Sequence, residues 1–362
     1  MTKFASNLVS SCLRIRPDDN VTVFFYPHTT TLAEDIAEEC FKVGADVNLS
    51  IYTDRFYETY MRLLSVESLR KPNVFCRGLT EMSSAQFWLS GVYDPAVLRR
   101  VPPEKRAAAD EGEFASHYPL ARDKKVRSLF VAMSQVTRPR AKAYGFNFPH
   151  WQRMMVAASS VKASKLAGDG SMVAPRLTKG NRVRITSENG TDLEFELAGR
   201  RALVFDGVVD DEDMVAGAFE ASWPAGNVSV APREDSANGT IGFDVPEAWA
   251  GRSIRKLGWQ FSDGRVTSWT GDKNADVVRK TWETGAGDKD RIAGLSIGLN
   301  PKAEYGFTLN PIVRGGVTVS IGSNEDLGGA NKNGFYHQGT LRGATVEIDG
   351  EPLVREGKLV LA

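Results

Sequence analysis

The sequence predicts an α/β N-terminal domain followed by a β-rich α+β C-terminal domain, and three observations carry that expectation. A buried-strand pattern, a helix pattern and a second strand follow one another over residues 21–52. The hydrophobic period changes from helical to alternating past about residue 175. A chain of 362 residues also exceeds the usual reach of a single hydrophobic core. We therefore read residues 1–175 as one domain and 176–362 as the second, which carries the candidate site. The junction is expected within Gly168 to Lys179, where Gly, Pro and Ser cluster.

In chain order, Val21 to Tyr26 is a continuous apolar and β-branched run that suits a strand buried on both faces. Thr31 with Glu34 reads as a capping box, and Leu32, Ile36, Cys40 and Val43 then recur at helical spacing until Gly44 stops the helix. Val47 to Tyr52 follows as a second strand, which completes a βαβ unit. The turn after the first strand is Tyr26-Pro27-His28, without the close glycines that a dinucleotide pyrophosphate needs, so a Rossmann cofactor site is disfavoured. A further strand and helix are read at Ser128 to Met133 and Trp151 to Leu166. In the second half, alternating runs flank Asn189-Gly190, Asp263-Gly264 and Asp349-Gly350, each a hairpin signal. Trp223, Trp249, Trp259, Trp269 and Trp282 lie in this half, where core anchoring is favoured over an aromatic pocket.

Composition removes several function classes. With 45 Lys plus Arg against 45 Asp plus Glu, the chain has no net positive field for nucleic acid or an anionic membrane. No window supplies the roughly 20 apolar residues of a membrane span, and the start lacks a secretory pattern, so a cytoplasmic protein is expected. Cys12, Cys40 and Cys76 are widely spaced and read as reduced, buried thiols. The GxSxG, HExxH and GxxxxGK[ST] patterns are absent, and four histidines are too few for a site built of several imidazoles. His28 and His150, each beside a proline, read as packing or surface residues, and His117 as part of a polar loop.

Two loops in the second half are more informative. Ser222 to Thr240 is dense in Pro and Gly between alternating strands, as loops that line sites often are. Glu234 and Asp235 within it point to opposite sides of an extended chain, so at most one faces a cavity. Ser320 to His337 is Gly-rich but leads into a strand rather than a helix, which weakens a phosphate-loop reading. His337 is either a surface or hydrogen-bonded residue or a general acid/base, whose ordinary pKa suits that work.

In order, Trp223 to Thr240, Ile292 to Pro301, Ile321 to Gly329 with His337, and Val346 to Gly350 resemble the aminopeptidase T-like metallopeptidase family, including the related 2,5-dihydroxypyridine 5,6-dioxygenases. The resemblance covers residues 180–362 in motifs and the N-terminal part in architecture. It implies an α/β domain, a β-rich domain and a homodimer. It also implies a metal site whose ligands are mostly missing. Asn227 stands where the peptidases carry a glutamate, Gly294 where they carry a second glutamate or the dioxygenases a histidine, and Thr318 where the peptidases carry a histidine. The family's His-x-Asp corresponds to His337-Gln338-Gly339, which loses the carboxylate. One imidazole and an amide do not hold a catalytic divalent ion, so no metal and no cofactor are expected.

The expected function is then a metal-independent hydrolase or lyase acting on a small, aromatic or heterocyclic molecule. His337 would be the acid/base, with Tyr336, Asn227 and Glu234 positioning substrate or stabilising an oxyanion. The alternatives are a non-catalytic binding or scaffolding relative, or a metal-dependent peptidase or ring-cleaving dioxygenase with a site rebuilt from His337 with Glu325 or Asp326. The expected partner is a small-molecule substrate, with neither nucleic acid nor membrane involved.

Overall fold

The fold is described from a computed structural model, for residues 2–197, 199–272, 274–332 and 334–361. The chain forms two compact units, Met1–Gln152 with Gly207–Pro224, and Arg153–Asp206 with Ala225–Ala362.

The first unit is built on a five-stranded, wholly parallel sheet. Its order is Asp46–Ile51, Asn20–Phe25, Ala85–Leu89, Arg127–Val131 and Glu220–Trp223. Val21, Val23 and Phe25 are buried with Phe87, Leu89, Leu129 and Val131, as expected of strands covered on both faces. The helix Thr30–Val43 buries Ala33, Ile36 and Cys40 and ends at Gly44, which takes the left-handed φ of 95° that favours glycine. Its start differs from the expected capping box. Thr29 is the N-cap residue, and its hydroxyl bonds back to Tyr26 rather than to the helix. His117 is not in a loop: it is buried on the helix Pro103–Lys124, with Nδ1 3.2 Å from the Thr80 hydroxyl. The three cysteines are buried.

The second unit packs an eight-stranded antiparallel sheet against a five-stranded one. The larger runs Arg265–Thr270, Gly258–Ser262, Asn238–Gly242, Asp192–Glu196, Arg182–Thr186, Thr345–Ile348, Glu351–Arg355 and Lys358–Leu359. The smaller runs Tyr336–Leu341, Val317–Gly322, Ile292–Gly298, Asn227–Val230 and Leu203–Phe205. All three expected hairpins are present, and Gly190, Gly264 and Gly350 take positive φ in their turns. Ile185, Phe195, Ile241 and Val346 from one sheet share a single core with Val228, Ile297, Val319 and Leu341 from the other. Trp259 is fully enclosed in that core, and Trp249, Trp269 and Trp282 pack on it, which agrees with their anchoring role.

The expected junction is corrected. Residues 163–179 form one helix, with Pro175 accommodated inside it, and Leu166, Val173 and Leu177 buried. Gly170 marks close packing rather than a linker, since a Cβ there would meet Val204 Cγ1 at 2.4 Å. A compact-unit border falls instead between Gln152 and Arg153, and the excursion Gly207–Pro224 belongs to the first unit. It does so because Glu220–Trp223 pairs with Arg127–Val131 as the edge strand of the parallel sheet. No helix among the described residues is long and apolar enough to cross a membrane.

Candidate functional site

The five-stranded sheet has two unlike faces, set by alternation along each strand. Val228, Val230, Leu295, Ile297, Val317, Val319, Ile321 and Leu341 point into the sandwich core. The intervening residues are Asn227, Ser229, Gly294, Ser296, Thr318, Ser320, Tyr336, Gln338 and Thr340. Register places them side by side: Ser229 opposite Ser296, Ser296 opposite Thr318, and Thr318 opposite Thr340. The outer face is therefore a polar row crossing four strands.

That row is internally hydrogen-bonded. The Asn227 Nδ2 donates to the Ser229 hydroxyl at 2.8 Å, and the Ser229 and Ser296 hydroxyls share a short hydrogen bond. The Thr318 and Thr340 hydroxyls are 2.9 Å apart, and the Tyr336 hydroxyl donates to Gln338 Oε1 at 2.9 Å. Ser229, Thr318, Ser320 and Thr340 are buried, whereas Asn227, Ser296 and Gln338 are partly open and Tyr336 is 48% exposed. Buried hydroxyls need partners, and here they find them in one another.

The structure separates the four residues singled out from sequence. Asn227 and Tyr336 lie on the polar face. His337 lies on the other side of its strand, 4% exposed, with its ring edge-on to Trp249 and Trp259 at centroid distances of 5.7 and 6.3 Å. Its Nε2 is buried without a hydrogen-bond partner, and burial holds the imidazole neutral, with a pKa near 3. His337 is therefore a neutral imidazole on the core side of its strand, opposite to the face that carries Asn227 and Tyr336. The neighbouring Gly339 faces the same way, and a Cβ there would meet the Phe243 ring at 2.3 Å. The His-x-Asp correspondence thus falls on core positions, while Tyr336 and Gln338, one residue earlier, occupy the polar face.

Glu234 is also not free to position substrate. Arg200 grips its carboxylate with Nη1 and Nη2 at 2.8 and 2.9 Å, and Asn324 Nδ2 and the Ala330 N–H donate to Oε1 at 3.1 and 2.7 Å. Burial pushes its pKa up, but these hydrogen bonds outweigh it and bring the carboxyl down to about 2. Glu234 is a permanent anion that pins the Gly-rich loop. Asn324 and Asn331 complete the clamp, with the Asn331 amide donating to the Ile292 and Gly322 carbonyls at 3.0 and 2.9 Å.

One group beside the polar face was missed from sequence. Glu247, on the short strand Glu247–Trp249, accepts a hydrogen bond from Asn310 Nδ2 at 3.3 Å and another from the Thr340 hydroxyl. Burial pushes its carboxyl up to about 8, and those two neutral donors only partly oppose the rise. Nothing in Val245-Pro-Glu-Ala-Trp249 signals this in sequence, because the environment comes from residues 63 and 93 positions further along the chain.

The donor set does not fit a catalytic metal. The polar face offers an amide at Asn227, no side chain at Gly294 and, at Thr318, a hydroxyl already bonded to Thr340. Glu325 and Asp326 sit on the turn Glu325–Leu327, and Leu327 reaches to 3.2 Å from a Cβ built on Gly294, which places that turn beside the polar face and away from His337. Among the described residues no three His, Cys, Asp or Glu side chains are gathered to hold a metal ion. The rebuilt site expected from His337 with Glu325 or Asp326 is therefore not assembled.

Residues 154–361 match the NicX family, described as 2,5-dihydroxypyridine 5,6-dioxygenase. The chain belongs to this family. Among solved structures it is similar to wild-type AmpT from Thermus thermophilus, with 16% identity, a TM-score of 0.71, and coverage of 99% of this chain and 98% of that one. It is also similar to 2,5-dihydroxypyridine dioxygenase from Pseudomonas putida KT2440, with 15% identity, a TM-score of 0.64, and coverage of 100% and 97%. These two likenesses establish the aminopeptidase T-like fold over the whole chain. No curated protein sequence matches.

Proposed function

We propose that this family member acts without a metal, as a hydrolase or lyase, on a small hydroxylated aromatic or heterocyclic molecule held at the polar face of the five-stranded sheet. The observation that carries the reading is the row from Asn227 through Ser229, Ser296 and Thr318 to Thr340, hydroxyls and an amide of which Asn227 and Thr318 fall where the resemblance places family ligands. Such a surface recognises hydroxyl and ring-nitrogen groups by hydrogen bonds, and it discriminates strongly against analogues that lack them. Glu247 takes the role expected of His337. A carboxyl protonated near neutral pH can donate its proton to a departing oxygen or ring nitrogen and regain one from water or substrate, while Asn310 and Thr340 keep it oriented.

The test is binding and turnover of a panel of hydroxypyridines by chelator-treated protein. Saturable binding that Thr318→Val and Glu247→Gln weaken supports the reading; a panel that binds only after a divalent metal is restored refutes it. The family match over residues 154–361 favours one competing reading, a ring-cleaving dioxygenase. Oxygen consumption that requires added ferrous ion would establish that alternative.

A further inference from the structure

The first unit holds a second polar cluster that the sheet of the second unit does not explain. In its parallel sheet the chain passes from Asn20–Phe25 outward to Asp46–Ile51, then crosses to Ala85–Leu89 on the other side. The carboxyl ends of Asn20–Phe25 and Ala85–Leu89 therefore flank the point where strand order reverses, the usual crevice for ligands in open α/β sheets. The segments leaving that edge carry Tyr26 and His28, Gly91 to Tyr93, and Ser134.

Two groups there lack partners that their burial calls for. Arg140 is 5% exposed, and its Nη2 donates to the Val92 carbonyl at 2.5 Å, but its Nε has no acceptor. Asp54, whose charge acts on Arg140, has its two carboxylate oxygens taken by the Tyr93 and Asp94 N–H groups at 2.8 and 2.9 Å. A single carbonyl does not compensate a buried guanidinium, which normally faces a carboxylate or phosphate. His28 Nε2 lies 2.9 Å from the Ser134 carbonyl, so it carries the proton, and Nδ1 is a buried lone pair without a donor. Rings line the approach: Tyr26 and Tyr93 lie 6.1 and 5.3 Å from the His28 ring, and Tyr93 is 45% exposed at the surface. Gly91 keeps the guanidinium accessible to the backbone, since a Cβ there would stand 3.0 Å from Arg140 Nη2.

We propose that this edge of the parallel sheet binds a small aromatic carboxylate bearing a hydroxyl or N–H donor, with the carboxylate on Arg140, the donor on His28 Nδ1 and the ring along Tyr26 and Tyr93. Calorimetric titration of the full chain with the hydroxybenzoate isomers, the matching hydroxybenzamides and inorganic phosphate tests it. At least one hydroxybenzoate is expected to bind saturably, and its amide about tenfold or more weakly, because the charge-assisted hydrogen bond is lost. His28→Leu and the surface change Tyr93→Ala should each weaken binding severalfold, and Arg140→Lys more. Tyr93→Ala keeps the test valid should the buried variant misfold. No saturable binding, equal affinity for acid and amide, tighter binding of phosphate, or indifference to both His28→Leu and Tyr93→Ala would overturn the proposal.

Discussion

The two faces of the five-stranded sheet are made by the same strands, yet they tolerate very different chemistry. Inward-facing positions are packed against the eight-stranded sheet, so even the two unusual residues there, His337 and Gly339, are defined by aromatic neighbours. Outward-facing positions are joined by hydroxyl-to-hydroxyl bonds that can exchange for bonds to a ligand. The lesson is that a residue one place along a strand answers to a different environment, and that chemistry follows the face rather than the nearest motif.

The sharpest break of the contrast is Gly339→Asp, the change that would restore the family's carboxylate. The new side chain would collide with Phe243 and bury a charge in the core, so a loss of several kcal/mol, read as a collapsed urea midpoint, is expected. A well-folded Gly339→Asp protein that gained metal would show that the strand faces are assigned the wrong way round.

The next effect is on pH dependence, where the two faces act with opposite sign. His337 has a folded pKa near 3 against 6.5 unfolded, so the unfolded chain binds the extra proton between these values and stability falls as pH drops through that window. Glu247 has a folded pKa near 8 against 4.5 unfolded, so the folded chain holds the extra proton and stability falls as pH rises from 4.5 to 8. Each group contributes a slope of about 1.4 kcal/mol per pH unit inside its window. Denaturation of Glu247→Gln should lose its part of the slope between pH 6.5 and 8, and His337→Phe its part below pH 4.5. Profiles unchanged from the parent would contradict both assignments.

At neutral pH, His337→Phe should be neutral or stabilising by about 1 kcal/mol, because it removes a buried nitrogen that has no partner. The smallest effect is expected for Gly294→Ala on the polar face, about 1 kcal/mol or less. The added methyl would meet Ser320 Oγ at 2.8 Å, and that hydroxyl can rotate away. A cost as large as that of Gly339→Asp would erase the proposed difference between the faces.

Much of this architecture was legible in the sequence. The hairpins at Asn189-Gly190, Asp263-Gly264 and Asp349-Gly350 were readable because turn chemistry and strand alternation agree there. The helix Ala163–Lys179 was not, since two glycines, of which Gly170 is placed for close packing, and an internal proline look like a linker. Of the proposed site, the strands were legible in the sequence, but the environment of each side chain was not. His337 attracts notice by residue type, whereas Glu247 acquires its raised pKa from Asn310 and Thr340, which no local pattern connects to it.

Whether the polar face works without a metal is read best from amide chemical shifts. Chelator-treated, isotopically labelled protein would be titrated with 2,5-dihydroxypyridine or another hydroxypyridine. Perturbations are expected to concentrate in Asn227–Val230, Ile292–Gly298, Val317–Gly322 and Tyr336–Leu341, with the Glu247 carboxyl carbon shifting on binding. Spectra that stay unchanged until a divalent metal is added, or that change only elsewhere, would contradict it.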